Sequence, residues 1–354
     1  MRGALANNFL TGTLSSLGET VKTLRITLVS FALALYAYSL IAQSAVSTGL
    51  GSSAAASNCA AAQAPNANQL ALLRWYNANL SANFIVGGNP NGMAFDGSSV
   101  WVVNQSANSV TKLRASDGAD LGTFPVGTVA GYTAFDGANI WVTNLLDGTV
   151  SKLRANDGAN LGTFHTGTFP WGITFDGTNI WVGNILDNTV TKLRPSDGAT
   201  LGVFPAGPNP ISMAFDGNNI WISNQGGANT VTKLRASDGA LLGTFSVGVN
   251  PVGVAFDGSS IWVVNYTGQT VTRLRAKDGH KTGTFRVGSK ANFITFDGTN
   301  LWITNTGDNN VTKLRACDGA FLGNFPTGVG PLGIAFDGAN IWVSNALDGT
   351  ISKM

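Results

Sequence analysis

Glutamate occurs once in this 354-residue chain, at Glu19, and histidine twice, at His165 and His280. General acid–base catalysis needs a group titrating near neutrality within reach of a substrate, and these counts leave few such groups. The two cysteines, Cys59 and Cys317, exclude a disulfide-built scaffold and a cysteine-based zinc site. They stand either as two thiols or as one pair that export would permit. Charge is also scarce, at 11% of residues against about a quarter in an average domain. A net charge of +2 argues against a nucleic-acid groove. Glycine is what abounds, at 45 positions, beside an ordinary 44% of hydrophobic residues. Such a chain can bury a core, and its turns are frequent.

The amino terminus reads as a targeting segment. An apolar run at residues 26–42 follows Arg2, Lys22 and Arg25 and ends in small residues. Residues 1–44 therefore form a cleaved signal peptide or, if uncleaved, a membrane anchor. Either alternative exports the rest, which is expected to be secreted, periplasmic or at the cell surface. Residues 45–67, rich in Ala, Ser and Asn, read as a flexible spacer. Leu70, Leu72, Leu73 and Tyr76 have helical spacing and predict a short amphipathic helix over 68–79.

From residue 80 onward one unit repeats. Phe-Asp-Gly begins at Phe95, Phe135, Phe175, Phe215, Phe256, Phe296 and Phe336, in steps of 40 residues with one of 41. Each copy continues with an apolar-Trp-apolar-x-Asn segment, a Val-Thr-Lys-Leu-Arg segment, a second Asp-Gly and a Leu-Gly-Thr-Phe-like stretch. Four β-type runs between turn signals, in about 40 residues, make one propeller blade. The segment Asn83-Phe84-Ile85-Val86-Gly87 matches the fourth run and follows no third one. The sequence thus predicts an all-β, seven-bladed β-propeller over 80–354, with an N-terminal strand closing the last blade and removing an open sheet edge. The repeated Trp and Phe are expected in the core, and the repeated Lys and Arg, balanced by Asp, in a solvated girdle.

Strands are named A to D from the axis outward. The A–B and C–D turns hardly vary among copies, and Asp-Gly turn geometry explains them. The D–A and B–C loops share the opposite end and do vary, so a ligand site is expected there. Its expected residues are Asn91, Tyr132, Trp171, Asn250, Lys290 and Phe293 from the D–A side, with Asp147, Asp187, Tyr266, Asp308 and Asp348 from the B–C side. The asparagines ending strand B, such as Asn104 and Asn144, read as Asx turns or as a ring of amides facing a ligand. No metal, cofactor or catalytic residue is assigned, because each Asp-Gly turn carries one carboxylate where a calcium loop needs several.

The Trp-Val-x-Asn strand, the Gly-x-x-Pro-x-Gly approach to strand A and the 40-residue period resemble the streptogramin lyase (virginiamycin B lyase)-like propellers and the related NHL and YVTN repeats. The resemblance implies the fold over residues 80–354. It also implies a His/Glu constellation with magnesium for lyase activity, and no position here matches those residues. Two function classes remain: a non-catalytic, monomeric exported propeller binding a protein or glycan, and a divergent lyase- or lactonase-like enzyme using Asp and Asn on the variable face. Neither involves nucleic acid, and membrane contact is expected only through the N-terminal segment.

Overall fold

A computed structural model describes residues 82–354. The signal or anchor segment, the spacer and the helix expected over 68–79 lie outside the described residues. The rest forms seven four-stranded antiparallel sheets. Blade 1 shows the unit: strand A at Pro90–Phe95, B at Ser99–Asn104, C at Ser109–Arg114 and D at Asp120–Pro125. Strand B is buried along its whole length, while strand D, outermost, alternates between exposed and half-buried. The seven A strands contact their neighbours in an unbroken ring around the axis.

Closure follows the sequence reading. The strand Ala82–Ile85 pairs antiparallel with Thr350–Lys353 and completes blade 7. Phe84 stacks on Trp342 at 5.5 Å between centroids, the pairing that Phe124 makes with Trp101 in blade 1.

The core lies between blades. Trp101, Val103 and Val110 of blade 1 pack against Ile140, Val142 and Leu153 of blade 2, and the interface repeats around the ring. Truncating one such tryptophan would cost about 3–5 kcal/mol. Each tryptophan is also tied to its own turn. In blade 2, Asp136 Oδ1 accepts the backbone N–H groups of Ala138 and Asn139, while Oδ2 accepts the Trp141 indole N–H at 2.7 Å. Asp and Trp stand five residues apart in every copy, a spacing that could have revealed this bond.

The expected girdle splits in two. Arg114, Arg154 and Arg194 are exposed and pair with Asp117, Asp157 and Asp197 of the C–D turns. Lys112, Lys152, Lys192 and Lys233 are buried, contrary to the solvated position expected for them. Lys112 Nζ sits 5.2 Å from the Trp101 ring centroid and donates to the carbonyls of Ala155 at 2.7 Å and Asn156 at 3.1 Å in the next blade. Indole face and turn carbonyls together replace water around the ammonium. Cys317 is disulfide-bonded, so the reading of two unpaired cysteines does not hold. Cys59 lies outside the described residues.

Candidate functional site

At the D–A end of the axis the copies cease to be alike. Each D–A loop enters strand A through a residue of positive φ: Asn89, Val129, Phe169, Asn209, Asn250, Lys290 and Gly330. Left-handed backbone suits Asn and Gly, and a β-branched or bulky residue there is strained. Blades 2, 3 and 6 carry that strain, with φ of 55° at Val129, 59° at Phe169 and 53° at Lys290.

The same three blades bring aromatic rings to the mouth of the central channel. The third residue of strand A is glycine at Gly92, Gly172, Gly253 and Gly333, where a Cβ would overlap the neighbouring blade's strand A backbone. Tyr132 and Phe293 hold that position in blades 2 and 6, and their rings meet at 5.0 Å between centroids. Trp171 tilts against Tyr132 at 5.5 Å, and Phe169 stacks on Trp171 at 5.9 Å with 17° between planes. All four rings are half-exposed. Beneath them lies a space of about 120 Å³ lined by Met93, Thr133, Ile173, Met213, Ile294 and Ile334. Among the described residues, neither Thr133 Oγ1 nor Trp171 Nε1 has a hydrogen-bond partner.

Tyr132, Trp171 and Phe293 are therefore brought together from the expected set, and Phe169 joins them. Its signal in the sequence was a large ring at a loop position that Asn or Gly fills in four other copies. Lys290 is exposed in the loop leading to Phe293, whereas Asn91 and Tyr266 are buried. The Asn250 amide donates to Thr267 Oγ1 at 3.3 Å. The four aspartates hold loops: Oδ2 of Asp147, Asp187, Asp308 and Asp348 accepts the backbone N–H of Thr128, Thr168, Ser289 and Val329 at 2.6–2.7 Å. Each bond ties a B–C loop to the D–A loop 19 residues earlier. No three His, Cys, Asp or Glu side chains among the described residues come together as a metal site.

The strand-B asparagines face inward. Asn144 is fully buried; its Oδ1 accepts the Gly127 N–H at 2.9 Å, and its Nδ2 donates to Thr149 and Ser151. An Asx turn bonds locally, and these partners lie on strand C and at the end of the preceding strand D, so the amide is a cross-brace between loops.

No family model matches the sequence, and no curated protein matches it. Solved structures do match the fold. A hydrazine synthase from Kuenenia stuttgartiensis is similar with a TM-score of 0.68 at 19% identity, over 75% of this chain and 95% of that one. A streptogramin B lyase gives 0.66 at 22% identity, over 77% of this chain and 96% of its own. Virginiamycin B lyase from Staphylococcus aureus gives 0.67 at 21% identity, over 77% and 98%. At these identities the likeness is one of fold, and the chain has the seven-bladed fold of the streptogramin lyase propellers.

Proposed function

We propose that this chain is an exported, non-catalytic binding propeller that takes a glycan or protein ligand on the ring surface of Phe169, Trp171, Tyr132 and Phe293. One observation carries the reading: the D–A loops that bear strained backbone at Val129, Phe169 and Lys290 belong to the blades that supply the rings. Strain of this kind costs about 1–3 kcal/mol per residue and persists where function requires it. Asn at the same loop position in blades 1, 4 and 5 shows that the fold itself has no need of it. Half-exposed rings offer flat apolar area at low entropy cost. The aspartates of this face are occupied by backbone amides, which suits the mouth to binding more than to proton transfer.

The test is a glycan and protein-ligand screen with the parent, Trp171→Ala and Phe169→Asn. The reading expects ligands of the parent to lose at least about tenfold in affinity for both variants, a loss near 1.4 kcal/mol. A ligand that binds all three equally would place the site elsewhere.

A further inference from the structure

Four cationic side chains among the described residues make no hydrogen bond, ion pair or ring contact: Lys277, Lys281, Arg286 and Lys290. The others are held, as Lys112 is by turn carbonyls, Arg114 by Asp117 and Lys313 by the Trp302 ring. All four unheld cations are exposed. They fall in one stretch of blade 5, from its C–D turn through strand D (Lys281–Arg286) into the following D–A loop. Blades 1–4 and 6 place no lysine or arginine at any of the four positions. The equivalent of Lys281 is Asp120, Asn160, Thr200, Leu241 or Phe321, and Arg286 is replaced by proline at Pro125, Pro205 and Pro326.

The strand register aligns these charges. Arg286, Thr284 and Lys281 lie opposite Thr270, Thr272 and Leu274, alternate residues of strand C, and a bulge beside Lys281 keeps all three on one face. Lys281 and Arg286 are then about 15 Å apart along the strand. Lys277 continues the row beyond one end and Lys290 beyond the other. The one carboxylate of the stretch is already committed, since Asp278 accepts Arg275 Nε–H at 2.9 Å and Nη2–H at 2.6 Å. A lone lysine on an outer strand serves to block edge-to-edge pairing. That role explains neither Lys277 nor Lys290, which stand outside the strand, and the other blades guard their edges without a row of like charges.

We propose that the outer edge of blade 5 binds a linear acidic polysaccharide, one that carries carboxylate or sulfate groups along its length. A row of uncompensated cations complements a linear polyanion, and the release of counterions from the polymer drives binding. A bilayer is a plane and would draw on cations of the adjoining edges, and the D strands of blades 4 and 6 have none. Single-stranded nucleic acid is held largely by stacking on aromatic rings. The one ring of this strand, Phe285, is packed against Trp262 and over Gly319 of the next blade. The row lies on the outer wall, so the site does not depend on ligand binding at the mouth.

The test titrates the full chain with heparin as the sulfated probe and polygalacturonate as the carboxylated one, over a range of salt. Neutral dextran, duplex DNA and anionic phospholipid vesicles serve as comparisons. The parent is expected to bind one or both acidic polysaccharides and not dextran; which one it binds identifies the anion. Lys281→Gln/Arg286→Gln should melt like the parent and lose at least about tenfold in affinity at low salt, with the slope of log affinity against log salt reduced by about two. Arg114→Gln/Arg154→Gln removes the same charge from paired positions and is expected to lose less than about threefold. Equal losses in the two double variants would overturn the proposal, as would no binding of either polysaccharide by the parent. Tighter binding of DNA or vesicles than of both polysaccharides at the same salt would overturn the assignment of the ligand.

Discussion

Tyr132 and Phe293 meet with ring centroids 5.0 Å apart although blades 2 and 6 share no interface. The contact spans the channel and, among the described residues, is the one aromatic pair between blades that are not neighbours. Aromatic pairs contribute about 0.5–1.5 kcal/mol beyond their buried area. A double-mutant cycle with Tyr132→Leu and Phe293→Leu, read by urea denaturation, is expected to give a coupling of about 1 kcal/mol. Additive losses would mean the rings do not support each other in solution.

Phe169→Asn should separate stability from binding. Asn accepts left-handed backbone that Phe resists, so the variant is expected to gain about 1 kcal/mol in stability while losing affinity at the mouth. Chemical denaturation beside the binding screen measures both. A destabilised variant would show that the Phe169–Trp171 stack contributes more than the backbone strain costs.

Two glycines of positive φ make a controlled pair. At Gly97 an added Cβ meets nothing within 4 Å, whereas at Gly118 it would overlap the Phe84 ring of the closing strand. Gly97→Ala is expected to cost about 1–2 kcal/mol from backbone alone. Gly118→Ala should cost visibly more, with part of the excess recovered by Phe84→Leu. Equal melting temperatures for the two alanine variants would contradict the packing of Phe84 against blade 1.

Acid should unfold the ring through its turn aspartates. At Asp96 burial acts to raise the pKa, but the Trp101 indole and the Ser98 and Ser99 groups outweigh it and hold the carboxyl below its usual value. Asp297 and Asp337 are lowered in the same way, with Trp302 and Trp342 as donors. Asp278, bonded to Arg275, is held at about 2. A pKa lowered by folding gives stability that is complete above the unfolded value of about 3.9 and is lost as pH falls through the folded value. The melting temperature is expected to hold steady down to about pH 4 and then drop toward pH 2. A melting temperature unchanged between neutrality and about pH 3 would rule out this role for the Asp–Trp bonds.

The repeat by itself determines the architecture. Phe-Asp-Gly at a 40-residue period fixes turn, strand and core residue in each copy, and the Asn83–Gly87 stretch announces the closing strand. Such features are local, and periodicity displays them. Between blades the sequence is silent, because contacts there join residues one repeat or several repeats apart. Nothing in Val-Thr-Lys-Leu-Arg distinguishes the lysine that is buried under the next blade's turn from the arginine that is not; only packing assigns Lys112 to Ala155 O and leaves Arg114 in solvent. Likewise Tyr132, Trp171 and Phe293 were legible as departures from the repeat, but their assembly into one surface needed the ring to close. Asp147 and its equivalents, acidic and variable in sequence, were turned by the fold toward backbone amides that no one-dimensional pattern reveals.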